Sequence, residues 1–436
     1  MMSRISITRR ALYLGILCAL LAACASPAGL RGQVIIAWHS LSGAKEQALL
    51  NLVDEWNSAN PDGITVVPER HPESQIHQNV LEGIRQKALP TLMLVSPMQA
   101  AIYQQNGALT PLDTYINDPS LAVGWGQGDR ADLYPFVLSA GRASSGQIVG
   151  IPFGGIARVM LYNRDWLRTL NFDGAPANWE QLSGACGAAT DRARGTLCLG
   201  IDANSVAFEQ WLYANGGRVT TNDLSVLQLS TPAAMQAMNR LAELVRNSQA
   251  YRVTTRQQSR DDFATARVLL MTDWSSNLAD DAAAIKQHAE FGWGVSLLPG
   301  DAQNGATNFS APLWVVTRTA LQPHPNRDKA AWLFIRWLTD PAQTARWAAQ
   351  TGELPARLSA ASLLTATQSL SANQLAVLKT IAPQARPEPL VSGLNCLHNA
   401  MAGGVRQILD GQPVTSTLLL IQASGQPQLT QDCSSQ

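Results

Sequence analysis

Apolar and polar positions change period several times along the chain, and each change marks an element. Val34-Ile35-Ile36-Ala37-Trp38 is an apolar run without helical period, which predicts a buried strand. After a loop at Ser40 to Gly43, Leu49, Leu52, Val53 and Trp56 recur at helical spacing, and Asn60-Pro61-Asp62-Gly63 stops that helix. Ile64 to Val67 is the next strand, Ile76 to Lys87 the next helix and Thr91 to Val95 a third strand. A helix then runs to Gln105 and breaks at Asn106-Gly107. This alternation predicts right-handed crossovers and a mostly parallel sheet covered on both faces. The pattern returns later: Val159 to Tyr162, Val268 to Met271 and Trp293 to Leu297 read as strands. Pro232 to Arg246 is an amphipathic helix on Met235, Met238, Leu241, Ala242 and Val245, and Ala330 to Leu338 is apolar on most sides. The polar tail after Ile421 is expected to be loosely ordered, except near Cys433. In open α/β sheets ligands bind beyond the carboxyl ends of strands. Those loops are His39-Ser40-Leu41-Ser42, Ser96-Pro97-Met98 and the segment after Met271.

A chain of 436 residues, 46% hydrophobic, exceeds one ordinary core and predicts two domains. Lys+Arg 32 balances Asp+Glu 32, which removes the electrostatic case for a nucleic acid or an acidic membrane as the main partner. Tryptophan, at 12, is the commonest aromatic type; most are expected in the core and a few in a cleft, where an indole suits a flat apolar face.

The first residues carry an export signal: Arg4, Arg9 and Arg10 precede an apolar run, Ala11 to Ala23, too short to span a bilayer. Leu21-Ala22-Ala23-Cys24 resembles a bacterial lipobox, in which Cys24 becomes the acylated amino terminus. Residues 1–24 are then the signal and 25–33 a tether. Thr8-Arg9-Arg10 faintly resembles a twin-arginine signal. Of the remaining cysteines, sequence proximity favours the pairs Cys186–Cys198 and Cys396–Cys433, with four buried thiols as the alternative. No C-x-x-C spacing points to zinc or thioredoxin chemistry.

Ordered segments along nearly the whole mature chain carry a family resemblance. They include Ile36-Ala37-Trp38-His39-Ser40 with Trp56 to Pro61, Gly107 to Leu112, Gly150-Ile151-Pro152-Phe153, and Leu161 to Asp165. Asn178-Trp179-Glu180-Gln181-Leu182, Phe263 to Met271 (with Ala266 where the family usually has Gly), Leu298-Pro299-Gly300, Ala330 to Phe334 and Thr351 to Arg357 follow in the same order. In these segments the chain resembles the extracellular solute-binding proteins of carbohydrate ABC importers, family 1, whose familiar members bind maltodextrin and glycerol 3-phosphate. The resemblance implies a two-lobed periplasmic-binding-protein fold, type II-like, each lobe a mostly parallel sheet flanked by helices. Lobe 1 is expected over 34–153 plus 308–350 and lobe 2 over 154–302 plus 352–436. Crossings are expected near Phe153-Gly154-Gly155, Asp301 to Asn308 and Gln350 to Gly352. It further implies a sugar or sugar-like solute, a polyol phosphate included, held in the interlobe cleft. The partners implied are ABC permease subunits and, through the lipid anchor, the outer face of the cytoplasmic membrane. The protein is expected to be a monomer without a cofactor.

Trp274 stands where the family often places a sugar-stacking indole. His39, Ser40 and Ser42 end the first strand, and Ser96 and Met98 follow the third; the serines suit either solute contact or capping. Phe153 and Gly154 lie on a crossing, Asn204 and Phe208 in a loop before Trp211, and Ser310 and Trp314 near a late strand. His398 falls where the family often has an aromatic contact, although it also reads as a surface histidine. His71, Glu73 and His77 lack ligand spacing, so no metal site is expected. No residue set meets the demands of nucleophile, base and orienter, so no enzyme is expected; an anchored glycan-acting enzyme and a ligand-presenting sensor are the alternative readings to transport. The lipobox makes a direct prediction: Cys24→Ser abolishes fatty-acid labelling and moves the protein from the detergent to the aqueous phase on phase partition. Undiminished labelling would refute it.

Overall fold

The computed structural model describes residues 29–300, 305–318, 325–367 and 371–432. The signal with Cys24, residues 25–28 of the tether, Cys433 and residues 301–304 of one expected crossing lie outside the described residues. Twelve strands are described: β1 Val34–His39, β2 Thr65–Arg70, β3 Leu92–Val95, β4 Gly154–Asn163, β5 Leu197–Asp202, β6 Ala250–Val253, β7 Val268–Trp274, β8 Trp293–Ser296, β9 Thr307–Ser310, β10 Leu313–Val316, β11 Leu354–Pro355 and β12 Ala385–Pro387.

They form two sheets flanked by helices. The first has the order β10-β3-β1-β2, in which β1 pairs in parallel with β2 and β3 while β10 runs antiparallel to β3. Its first covering helix, Gly43–Ala59, buries Leu49, Leu52, Val53 and Trp56, the four positions that set the helical period. The second sheet has the order β12-β9-β4-β7-β5-β6, with β8 and β11 also paired to β4. There β5 pairs in parallel with β6 and β7, but β4 is antiparallel to β7, β8, β9 and β11. This sheet is therefore mixed rather than mostly parallel, because β4 leaves the crossing region that β7 runs back towards.

The two sheets meet where β4 begins. Gly155 pairs with Leu354 of β11, Ile156 with Ser310 of β9, and Ile151 bridges to Trp314 of β10. A Cβ on Gly154 would lie 2.7 Å from the Trp347 ring, and one on Gly155 would lie 2.3 Å from the Phe309 ring. Both distances are below any van der Waals contact, so these two positions need glycine for close approach rather than for a special φ. Helix Pro325–Leu338 is deeply packed as its sequence predicts, with Trp332, Phe334 and Ile335 at 0% exposure. Met98 and Leu224 each pack against apolar clusters of both sheets, and Gln105 donates to Ser392 at 2.8 Å across the same boundary.

Two further expectations change, and one disulfide is found as expected. Asn204 to Phe208 is not a loop: Ser205–Ala214 is a helix, with the Asn204 side chain accepting from Ala207 N–H, and Phe208 is fully buried in it. The tail is ordered well past Ile421, in the helix Val414–Gly425 and a 3₁₀ turn Gln426–Thr430. Its polar side chains have partners: Gln422 and Gln426 accept from the backbone of Leu229 and Leu227, and Leu429 is buried. Cys186, on helix Trp179–Ala189, is disulfide-bonded to Cys198 on β5, across a Cα separation of 4.7 Å. The second expected pair includes Cys433, outside the described residues. Among the described residues no helix is long and apolar enough to cross a membrane.

Ala266, in the turn between helix Arg256–Ala264 and β7, has φ 56°, in the left-handed region. An L side chain there costs about 1–2 kcal/mol, while glycine costs about 0.5–1 kcal/mol in unfolded-chain entropy. Ala266→Gly is therefore expected to stabilise the protein by about 0.5–1 kcal/mol in urea unfolding.

Candidate functional site

The parallel strands β5, β6 and β7 end together at Asp202, Val253 and Trp274. Their following loops wall a cavity of about 530 Å³ lined by Asp202, Asn204, Thr254, Thr255, Arg256 and Trp274, together with Arg158 and Arg406. This is the carboxyl-end position at which α/β sheets bind ligands.

Register builds the wall. In the antiparallel pairing of β4 and β7, Arg158 sits opposite Trp274. The Arg158 side chain is 5% exposed, and its guanidinium carbon lies 5.7 Å from the centroid of the partly exposed indole. Its Nη2 donates to Thr272 Oγ1 at 2.9 Å and to Asp202, and its Nη1 is 3.9 Å from Asp273 Oδ1. Asp273, 1% exposed, ties the tip of β7 down: its Oδ1 accepts from the Trp274 N–H at 2.6 Å and from Asn277 Nδ2 at 2.8 Å. Arg256 Nε donates to both Asp273 oxygens, at 3.1 and 2.9 Å. Behind it Asp281 is held by Arg260 at 3.1 Å and Arg256 at 3.7 Å. Burial, and then the charge of Asp273, pushes the Asp281 carboxyl up to about 7 against the pull of the two arginines. The arginines Arg158 and Arg256 are thus matched by acids, while the exposed Arg406 of the same wall forms no ion pair among the described residues.

On the first sheet, His39 ends β1 but is 1% exposed, its backbone carbonyl accepting from the His71 N–H at 2.8 Å. Burial, first, lowers its pKa and keeps the ring neutral. Ser40 is half-buried, and Ser42 is exposed at the head of helix Gly43–Ala59 without a side-chain cap bond. Ser96 is the cap of helix Pro97–Gln105, in a reciprocal capping box with Gln99. Beside them Trp38 packs against His71 with the rings tilted by 41°, centroids 4.2 Å apart, and donates to Glu69.

The structure therefore brings Trp274 and Asn204 into one cavity wall, and sets His39, Ser40, Ser42, Ser96 and Met98 at the carboxyl ends of β1 and β3. Phe153, Phe208 and Trp314 are core residues, at 1%, 0% and 0% exposure. Gly154 is a crossing residue, and Ser310 is half-buried in β9 opposite Ile156. His398 belongs to a different group. On helix Leu394–Leu409, its Nε2 lies 3.4 Å from Glu209 Oε1, and Glu388 completes a trio of ligand-capable atoms within 4.8 Å of one another. Burial disfavours the His398 cation, but Glu209 and Glu388 outweigh it and raise its pKa; burial and Glu209 push Glu388 up to about 7. Sequence reasoning missed Arg158, Asp202, Arg256, Glu209 and Glu388. The available signal was a charge abutting an apolar strand, Arg158 before Val159 and Asp273 after Thr272, because such charges persist in a sheet only when paired.

The profile described as bacterial extracellular solute-binding protein matches residues 51–375, most of the chain. The chain belongs to that family. This solute-binding protein is 24% identical over 341 residues to the sn-glycerol-3-phosphate-binding periplasmic protein UgpB of Salmonella typhimurium, covering 73% of each chain. The Escherichia coli K12 protein of the same name is 23% identical over the same length. Among solved structures it resembles the cyclic alpha-maltosyl-1,6-maltose binding protein of Arthrobacter globiformis, with TM-score 0.77, 20% identity, and coverage of 91% of this chain and 98% of that one. The sugar-binding protein MalE of Xanthomonas citri gives TM-score 0.75 and 19% identity, covering 91% and 97%. These likenesses establish the two-lobed architecture.

The ion-pair ladder of the binding protein makes a stability prediction. Arg158→Ala strands the acids it faces, so urea unfolding should show a loss of about 3 kcal/mol, far more than a surface arginine costs. A loss below about 1 kcal/mol would show that the ladder is not coupled to folding.

Proposed function

We propose that this protein is the capture component of an ABC importer, lipid-anchored through Cys24 outside the cytoplasmic membrane and monomeric, binding a neutral, hydroxyl-rich solute of the sugar class between its lobes. Lobe 1 comprises residues 34–153 and 308–350, lobe 2 residues 154–302 and 352–436. The observation that carries the reading is the partly exposed Trp274 indole in a polar cavity wall at the carboxyl ends of β5–β7. An indole face takes the C–H face of a pyranose, and the Asp202, Asn204, Thr254 and Thr255 side chains offer hydrogen bonds to its hydroxyls. Solute would favour the closed arrangement because only there does it touch both walls, with Ser40, Ser42 and Ser96 supplying the opposite one.

Charge selects among solutes. Arg158 and Arg256 are neutralised by Asp202, Asp273 and Asp281, and Arg252 lies 3.4 Å from Asp410. With Arg158, Arg252 and Arg256 already paired, a phosphate dianion would find only the exposed Arg406 of this wall without an ion pair among the described residues, which favours a sugar over a polyol phosphate, the class named for the enterobacterial relatives. The same pairing speaks against glycosidase chemistry. That would need two carboxylates facing each other across the substrate, whereas Asp202, Asp273 and Asp281 all belong to lobe 2 and are engaged by arginine.

Calorimetry and tryptophan fluorescence against neutral mono- and oligosaccharides and glycerol 3-phosphate test the reading. At least one neutral sugar should bind reversibly without turnover, and Trp274→Ala should weaken it about thirtyfold, or about 2 kcal/mol. Binding of glycerol 3-phosphate alone would overturn the neutral-solute assignment, and a flat response to the whole panel would overturn the sugar class.

A further inference from the structure

A second cluster of chemistry lies away from the Trp274 wall, where helix Ser205–Ala214 meets β9, the segment after β12 and the start of helix Leu394–Leu409. Each contributes one polar side chain: Glu209, Asn308, Glu388 and His398. Glu209 is 1% exposed and fixed from one side, its Oε2 accepting from Asn308 Nδ2 at 2.7 Å. Its other oxygen, Oε1, is buried without a hydrogen bond, and so is His398 Nε2, 3.4 Å away. Asn308, also 1% exposed, leaves its Oδ1 without a partner. Three buried polar atoms in one place thus lack well-formed hydrogen bonds, and an unsatisfied buried acceptor ordinarily costs enough to be removed. Two carboxylates beside one imidazole also make the spot negative, and no lysine or arginine forms an ion pair with Glu209 or Glu388 among the described residues.

We propose that Glu209, Glu388 and His398 form a binding site for a divalent transition-metal cation of the zinc class. One imidazole nitrogen and two carboxylate oxygens are a donor set that zinc takes, with three protein ligands and a position left open. The spacing agrees. Zinc bonds of about 2.0–2.2 Å in tetrahedral geometry set neighbouring ligand atoms roughly 3.3–3.5 Å apart, and Glu209 Oε1 and His398 Nε2 are already 3.4 Å apart. The Glu388 oxygen lies within 4.8 Å of both and would close on the ion as its third protein ligand. The ion has a way in, because Glu388 lines a cavity of about 800 Å³ between helix Pro135–Ala140, the segment Tyr213 to Leu224 and residues Pro383 to Leu390. Asn308 acts as a positioning residue, orienting the Glu209 carboxylate so that Oε1 faces the imidazole. Because β9 also pairs with β4 at the crossing, an ion here would tie helix Leu394–Leu409 to the segment that joins the lobes.

The experiment uses the full mature chain, stripped with chelator and titrated with zinc chloride by calorimetry, with thermal unfolding recorded alongside. One zinc per chain is expected, reversed by chelator, with a higher midpoint of unfolding when loaded. Glu209→Gln and the more exposed His398→Gln should each weaken binding more than about tenfold, and His77→Ala, at the other histidine-rich face, should not. Circular dichroism confirms that each variant is folded, and His398→Gln, whose side chain is partly exposed, keeps the test decisive if Glu209→Gln does not fold. Absence of stoichiometric binding, or binding that survives His398→Gln or is lost in His77→Ala, would overturn the assignment. Sugar binding measured on the stripped protein stands apart from this result, so the two proposals fail separately.

Discussion

The structure depends on how closely separate chain segments pass at one point. The start of β4 runs between the Trp347 indole on one side and the Phe309 ring on the other, and neither Gly154 nor Gly155 has room for a methyl group. Through this point pass the strands linking the two sheets, β4 against β9 and β11, with Ile151 bridged to β10. Dense packing of large rings around a bare backbone makes the junction narrow and defined, so the two sheets hold a set relation while sharing few covalent links. Trp347 is anchored in turn by Glu353, whose carboxylate also meets Lys45 from the first turn of helix Gly43–Ala59.

From that junction the site follows. Because β4 starts there, its fifth residue, Arg158, falls opposite the last residue of β7, Trp274. The arginine is buried and would be costly alone, so Asp202 and Asp273 accompany it, and Asp273 in turn fixes the backbone of Trp274. The indole is therefore held in one orientation by an ion-pair network beneath it rather than by apolar packing alone. Rigid aromatic surface over a neutralised polar floor suits a solute whose recognition rests on C–H faces and hydroxyls.

The polar groups divide into two sets by their surroundings. Around Trp274, Arg158 and Arg256 are matched by acids. Around Glu209, Glu388 and His398 no lysine or arginine forms an ion pair with the two acids among the described residues, and Glu388 lines a cavity. The first suits a neutral molecule and the second a cation, although Asp202 of the one and Glu209 of the other are close in sequence.

Much of the fold was legible beforehand because it rests on short-range pattern. Apolar runs became β1, β3 and β7, and the 3.6-residue spacing of Leu49 to Trp56 became the buried face of its helix. Elements without a strong period were missed: Ser205–Ala214 is buried all round, so it shows no amphipathic stripe, and the tail reads as polar because its glutamines bond to the backbone of Leu227 and Leu229 rather than to water. Trp274 was legible through its place after a strand, as was Asn204 by its position, but not that a helix begins at Ser205. The sequence alone thus determined the alternating elements, the family and the loops where a ligand site had to be sought, since each depends on neighbours within a few residues. Only tertiary structure decided which charges meet. Arg158 and Asp202, or Glu209 and His398, are 44 and 189 positions apart, and their pairing is set by strand register and helix crossing, which no local pattern encodes.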